Sequence, residues 1–124
     1  MTIKEVSEKY HISMDTLRYY ERVGVIPKVT RNESGIRDFQ EEDLKWVEHA
    51  KCMRSAGLPV EVLIEYVNLF QRGDETISAR LSLLMEQREC LMEQHHQIKE
   101  TLERIDYKIA CYQEAVKTGK LIWK

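Results

Sequence analysis

Short amphipathic segments fill the first half of the chain, and one long heptad pattern fills most of the second half. Thr2 and Glu5 have the spacing of a capping box, in which each residue satisfies a free N–H of a first helical turn. Ser13 stands in the N-cap position of a second helix, which we expect to end at Gly24, shortly before Pro27. Two short helices joined by a tight turn predict a helix-turn-helix.

A small hairpin and two further helices are predicted next. Residues 29–31 and 36–39 form β-branched or alternating runs, and polar residues with Gly35 lie between them. A third helix should begin at the acidic residues 41–43, because negative charge is favourable at a helix N-terminus. Pro59 suits the first position of a fourth helix. The pattern therefore predicts a mainly α-helical domain over residues 1–73.

Positions at alternating spacings of four and three run from residue 77 to residue 116, and ten of these twelve positions suit a coiled-coil seam, the exceptions being Arg88 and His95. A helix over residues 74–118 would be roughly 65 Å long at 1.5 Å per residue. The stripe could pack on its own N-terminal domain, but a chain this short cannot cover that length, so we expect a homodimer. Residues 119–124 are expected to form a short tail. The aliphatic positions assigned to the dimer seam are Leu81, Leu84, Leu91, Ile98, Leu102, Ile105 and Ile109.

Composition and charge narrow the possible functions of the 124-residue chain. No apolar stretch reaches the roughly 20 residues of a membrane span, and charges near Met1 argue against a secretory signal, so we expect a cytoplasmic protein without a membrane partner. Three scattered cysteines do not form a disulfide framework. The formal net charge of −2 argues against binding nucleic acid through bulk charge. A DNA-binding surface would have to arise from local placement of basic residues.

Such a local surface is predicted on the second helix. Arg18, Tyr19 and Arg22 fall on one helical face, and a basic, aromatic helix of this kind can enter a major groove. Arg31 and Arg37 on the hairpin would flank it as a wing against the DNA backbone. A solvated charged face is the alternative explanation. The combination of capped helix, turn, basic helix and arginine-bearing hairpin favours DNA binding.

Residues 16–21, Thr-Leu-Arg-Tyr-Tyr-Glu, resemble the recognition-helix signature of the MerR family of transcription regulators. Residues 32–39 resemble the first wing of that family, and residues 53–58 resemble its turn into a second wing. The resemblance implies a winged helix-turn-helix DNA-binding domain followed by a dimerisation helix in an antiparallel coiled coil. It also implies a palindromic site within a promoter whose −10 and −35 elements are spaced too far apart, and an activated dimer that bends and untwists this DNA so that RNA polymerase can engage both elements. The resemblance implies DNA contacts by Thr16, Arg18, Tyr19, Tyr20, Arg37 and Arg54, to which the helical face and the hairpin add Arg22 and Arg31.

A possible sensor residue is Cys52 in the third helix. Only six residues follow position 118, so we expect no ligand-binding domain there. His49 precedes Cys52 by three residues, and Lys51 and Arg54 add positive charge that favours the thiolate, the form that attacks electrophiles. An isolated helical cysteine can also be a small buried residue. Its position on the same helical face makes His49 a candidate to assist the thiol. The chain resembles a single-cysteine subgroup of the family in arm length and cysteine position, which implies a response to aldehydes and other thiol-reactive electrophiles through Cys52.

Three alternatives remain open at this point. A metal ion could bind across the dimer through Cys111 with His95 or His96, although no CxxC motif or His-Cys cluster supports this. A thiol enzyme could use Cys52, but the sequence contains no phosphate loop, paired carboxylates or oxyanion-hole motif. A coiled-coil adaptor would leave the helix-turn-helix unexplained. The sequence therefore predicts a regulator rather than an enzyme, with no catalytic residues, no metal site and no cofactor.

Overall fold

The computed structural model describes residues 1–124 and consists almost entirely of helices. The helices are α1 (Ile3–Tyr10), α2 (Met14–Val23), α3 (Glu41–Ser55), α4 (Val60–Gln71) and α5 (Ile77–Thr118). A 3-10 turn, Asp74–Thr76, separates α4 from α5, and the only β pairing is an isolated antiparallel bridge between Arg31 and Arg37. The predicted fold class, mainly α with a helix-turn-helix and a long C-terminal helix, is confirmed.

The predicted caps of the first two helices are present. The backbone N–H of Glu5 donates to the Thr2 hydroxyl at 3.2 Å, and the N–H of Thr2 donates to the Glu5 carboxylate at 2.9 Å. Ser13 accepts from the N–H of Thr16 at 3.0 Å at the start of α2. Gly24 ends α2 with φ of 94°, a left-handed conformation that glycine adopts without a Cβ clash. These local bonds set the boundaries of the helix-turn-helix.

Two local predictions need correction. Pro59 lies one residue outside α4, as its N-cap, because its ψ of 147° is extended rather than helical. The predicted hairpin is reduced to the single Arg31–Arg37 bridge, with backbone bonds from Asn32 N–H to the Ile36 carbonyl at 2.9 Å and from Asp38 N–H to the Thr30 carbonyl at 2.7 Å. The Asn32 side-chain oxygen also accepts from the N–H groups of Ser34 and Ile36. The wing is therefore a minimal hairpin closed by a tight turn rather than a pair of extended strands.

The chain divides into two compact units, Met1–Met85 and Glu86–Lys124, with α5 running through the boundary. The core of the first unit contains side chains from α1 to α4 together with Val25, Ile26 and Phe39 from the connections. The N-terminal ammonium group of Met1 donates to the Phe39 carbonyl at 2.8 Å and thereby ties the chain start to the end of the wing. The largest fully buried side chains of this core are Val6, Leu17, Val25, Ile26, Val47, Leu63 and Val67.

The second unit consists of the distal part of α5 and the tail after it. Gly119, with φ of 76°, reverses the chain, and the Trp123 ring stacks on Tyr107 at 6.4 Å and meets Tyr112 edge-on at 5.9 Å. The Tyr107 hydroxyl donates to the carbonyl of Lys124. The predicted tail is thus folded back against the helix. None of the five helices combines the length and apolarity needed to cross a bilayer.

Candidate nucleic-acid interface

A basic concave surface, which we call the basic cleft, lies between α2 and the wing and encloses about 690 Å³. Its lining brings together four of the predicted DNA-binding arginines, which come from separate stretches of the sequence. It also includes Lys28, whose role sequence reasoning missed, and a single acidic residue. The lining residues are Arg18, Glu21, Arg22, Lys28, Val29, Arg31 and Arg37. Five cations around one carboxylate make this surface suitable for phosphate oxygens.

The exposed face of α2 forms one wall of the basic cleft. The Arg22 guanidinium lies over the Tyr19 ring, 5.5 Å from its centroid, and Arg18 is paired with the exposed Asp15 at 3.1 Å. The Thr16 hydroxyl accepts a hydrogen bond from the Ser13 hydroxyl at 2.8 Å. Tyr20 is half-buried, with its ring centroid 6.2 Å from that of Tyr19. Arg18, Tyr19 and Arg22 are therefore available on one surface, as the helical spacing predicts.

The wing forms the second wall of the basic cleft and is held against α2 by the side chain of Glu21. Its carboxylate accepts from the Arg37 Nε at 2.7 Å and from the backbone N–H of Val29 at 2.6 Å. Arg31 lies 3.6 Å from the same carboxylate, and its other terminal nitrogen donates to the Gly35 carbonyl at 3.0 Å. Glu21 belongs to the family signature and was not among the predicted contacts. The sequence offers no signal that separates it from Asp15, the other acidic residue of α2.

Arg54 lies apart from the lining of the basic cleft. It is exposed near the end of α3, where its guanidinium donates to the Leu58 carbonyl at 2.7 Å. This bond spans the turn between α3 and α4, in which Gly57 has φ of 90°. The structure thus assigns Arg54 a capping contact, and its predicted DNA contact stays a prediction.

The three cysteines are all free, and they differ in exposure. Cys52 and Cys90 are exposed, whereas Cys111 is buried. The alternative in which Cys52 is a small core residue therefore does not hold for the chain. A thiol reacts with an electrophile only if it is accessible and can form the thiolate. Cys52 is exposed and therefore meets the first of these two conditions.

His49 is packed among aromatic side chains between α3 and α4. Its ring stacks on Tyr66 at a centroid distance of 5.2 Å and meets Trp46 edge-on at 5.7 Å. Burial lowers the pKa of His49 below its usual value, and its Nε2 atom has no hydrogen-bond partner. The imidazole is therefore neutral near neutral pH, and the local positive charge beside Cys52 comes from Lys51 and Arg54.

We expect the melting temperature of the protein to fall when the pH is lowered from about 7 to about 5. The unfolded chain protonates His49 below about pH 6.5, whereas the folded chain resists protonation, so the free energy of unfolding decreases as the pH falls toward the folded-state pKa. Thermal melts of His49→Phe should show a smaller pH difference. The exposed His11 offers the matched control, His11→Asn, and an equal reduction in that variant would contradict the assignment to His49.

Residues 1–124 contain no group of three or more His, Cys, Asp or Glu side chains arranged to hold one metal ion. His96 is instead paired with Glu100 through its Nε2 at 3.1 Å. His95 is exposed, and Cys111 is buried near the end of α5. A metal site would therefore need ligands from a second chain.

The sequence profile of the MerR HTH family of regulatory proteins matches residues 1–69, more than half of the chain. The chain belongs to the MerR family. The HTH-type transcriptional regulator AdhR of Bacillus subtilis is 54% identical over 93 residues, which are 75% of this chain and 66% of that protein. This MerR-family chain is a DNA-binding transcriptional regulator.

Two solved structures extend the similarity along the whole chain. A Listeria monocytogenes protein assigned to the MerR family has a TM-score of 0.91 and 46% identity, covering 96% of this chain and 90% of that one. The structure of HiNmlR, a MerR family regulator lacking the sensor domain and bound to promoter DNA, has a TM-score of 0.86 and 34% identity. The match to HiNmlR covers 96% of this chain and 94% of that one.

Proposed function

We propose that this MerR-family regulator binds a palindromic promoter site as a homodimer and activates transcription when Cys52 reacts with a thiol-reactive electrophile such as an aldehyde. The observation that carries the proposal is an exposed, unbonded thiol in the same compact unit as the basic cleft. The resemblance to the single-cysteine subgroup supports the class of electrophile. The protein would act in the cytoplasm, with promoter DNA as its direct partner and RNA polymerase as an indirect one.

The DNA-binding part of the proposal rests on the basic cleft. Arginines from α2 would read base edges in a major groove, while Arg31 and Arg37 of the wing would bind backbone phosphates. Smooth bending of a site of 20–30 base pairs costs on the order of 1–6 kcal/mol. A modest change in the bound dimer is enough to shift a promoter between two DNA shapes.

Homodimerisation rests on the unpartnered apolar stripe of α5, which is 42 residues long, or about 63 Å. Ile98 and Leu102 of the predicted seam are 61% and 55% exposed in the single chain. Aliphatic side chains at heptad spacing lose this exposure when a second helix packs against them. Two copies related by a two-fold axis would also match a palindromic site.

The proposed sensing step is nucleophilic addition to a carbonyl. The Cys52 thiolate attacks the carbonyl carbon, an S–C bond forms as the C=O π bond breaks, and water protonates the resulting alkoxide. This step requires no oxidant and no metal. Lys51 and Arg54 supply nearby positive charge, and neutral His49 can contribute only as an uncharged imidazole.

The sensing proposal is tested by treating the purified protein with methylglyoxal and mapping adducts by mass spectrometry. Cys52 should be modified first, and buried Cys111 should be protected. Exposed Cys90 reports the reactivity of an ordinary helical thiol and serves as the internal reference. Modification of Cys90 ahead of Cys52, or stoichiometric metal in the purified protein, would contradict the thiol-sensor mechanism.

Removing a wing cation should weaken binding to all DNA sequences alike. Arg31→Ala is expected to reduce affinity for a duplex selected from a random library and to lower the slope of log K against log salt by about one. Fluorescence anisotropy over a range of salt concentrations measures both quantities. Lys117→Ala, which removes an exposed cation from the second unit, is the control and should leave the slope unchanged. Equal slopes for the wild type and Arg31→Ala would exclude Arg31 from the phosphate contacts.

A further inference from the structure

The side chain of Glu21 places a negative charge on a surface where electrostatics alone would disfavour one. Its side chain is 8% exposed and lies within the basic cleft, among the cations that are proposed to meet DNA. An isolated acid at this place would repel phosphate, and its removal would then strengthen DNA binding. The contacts of Glu21 indicate the opposite effect.

Both oxygens of the Glu21 carboxylate are engaged with the wing. Oε1 accepts from the Arg37 Nε at 2.7 Å and lies 3.6 Å from Arg31, and Oε2 accepts from the Val29 N–H at 2.6 Å. Arg31 and Arg37 are also the two residues of the only β bridge in the chain. One side chain of α2 therefore fixes the wing at its start and on both sides of its bridge.

The bond to Arg37 leaves most of that guanidinium free. Glu21 engages the Nε, while the two terminal nitrogens of Arg37 have no partner within the chain, and the side chain is 23% exposed. An arginine can use one edge for a carboxylate and still present two nitrogens to a phosphate. The carboxylate thus fixes the Arg37 side chain through its Nε and leaves the two terminal nitrogens without a partner in the chain.

We propose that Glu21 is a positioning residue for DNA binding, which orients Arg37 and holds the wing beside α2 so that the terminal nitrogens of Arg37 meet a backbone phosphate. The proposal rests on the proposed use of the basic cleft as the DNA interface. It predicts that removing this negative charge weakens DNA binding, opposite in sign to the effect of charge alone.

The test compares Glu21→Gln with Glu33→Gln on the duplex selected by the wild type. Both variants remove one acid near the wing, but Glu33 is exposed on the turn and makes no ion pair. Glu21→Gln should weaken binding about tenfold and lower the salt slope by about one. Glu33→Gln should bind as tightly as the wild type or more tightly. Unchanged or tighter binding by Glu21→Gln would overturn the proposal.

A double-mutant cycle separates positioning from general destabilisation. If Glu21 acts mainly through Arg37, Glu21→Gln should cost clearly less affinity in an Arg37→Ala background than in the wild type, because only its contacts with Val29 and Arg31 would remain to be lost. A full additional tenfold loss would overturn the proposal that Glu21 orients Arg37. Circular dichroism melts of each variant identify a temperature at which all of them are folded. Affinities are compared at that temperature.

Arg37→Lys provides a test that leaves Glu21 intact. Lysine has a single charged nitrogen, so a contact with Glu21 would hold all three of its N–H donors at the carboxylate, and no separate nitrogen would remain to extend toward a phosphate. Arg37→Lys should therefore bind as weakly as Arg37→Ala, and binding equal to the wild type would overturn the proposal.

If Arg31→Ala and Arg37→Ala both leave affinity unchanged, the basic cleft is not the DNA interface and the proposed function of this surface fails with it. If they weaken binding and Glu21→Gln does not, only the role of Glu21 fails.

Discussion

Cys52→Ser is expected to bind the selected duplex with the affinity of the wild type and to give no increase in transcription after methylglyoxal treatment. Serine preserves the size and exposure of the side chain on α3, but its hydroxyl does not ionise to a nucleophile near neutral pH. The measurement is run-off transcription from a promoter whose −10 and −35 elements flank the selected site at an overlong spacing. Wild-type protein should raise transcript levels several-fold after treatment.

Cys90→Ser is the matched control for this experiment. Cys90 is also exposed and helical, so the substitution removes a thiol of similar accessibility from the other compact unit. It should respond to methylglyoxal as the wild type does. An intact response in Cys52→Ser would end the proposal that Cys52 is the sensor, and loss of DNA binding by untreated Cys52→Ser would show a structural role instead.

Leu102→Glu is expected to convert the protein to a monomer and to weaken binding to a palindromic duplex by about a hundredfold or more. Leu102 lies midway along the apolar stripe of α5, where a carboxylate in each of two packed helices would be desolvated without a partner. A monomer also loses the gain that comes from binding two half-sites through one molecule. Sedimentation and anisotropy measure the two effects.

Gln97→Glu adds the same charge at a position outside the heptad seam. Gln97 is exposed, and its side chain donates to Glu93 at 3.4 Å on the surface of α5. This variant should remain dimeric and bind DNA as the wild type does. A dimeric Leu102→Glu would contradict the assignment of this stripe to the interface.

The net charge of −2 conceals a basic surface in the first unit. Folding brings five cations from α2, the wing and the connection between them to one cleft, with a single carboxylate among them. Because non-specific binding depends on the number of phosphates neutralised, a nearly neutral chain with one basic cleft suits a site-selective regulator. For DNA binding, the positions of the basic side chains therefore matter more than the net charge of the chain.

The pair Cys52 and His49 shows what helical spacing alone can predict and what it cannot. A separation of three residues places both on neighbouring parts of one helix, and this spacing suggested that His49 assists the thiol. In the folded chain the His49 ring packs against Trp46 and Tyr66, and its burial favours the neutral imidazole. The aromatic partner on α4 is distant in sequence, so no local pattern could reveal it.

Helix boundaries, the helix-turn-helix and the heptad stripe were predictable from the chain alone. They depend on bonds and spacings within a few residues, as at Thr2, Ser13 and Gly24. The joining of α2 to the wing through Glu21, and the exposure of Cys52 against the burial of Cys111, required the folded structure. These features depend on which distant segments meet, and side-chain packing and hydrogen bonding decide this only when the whole unit has assembled.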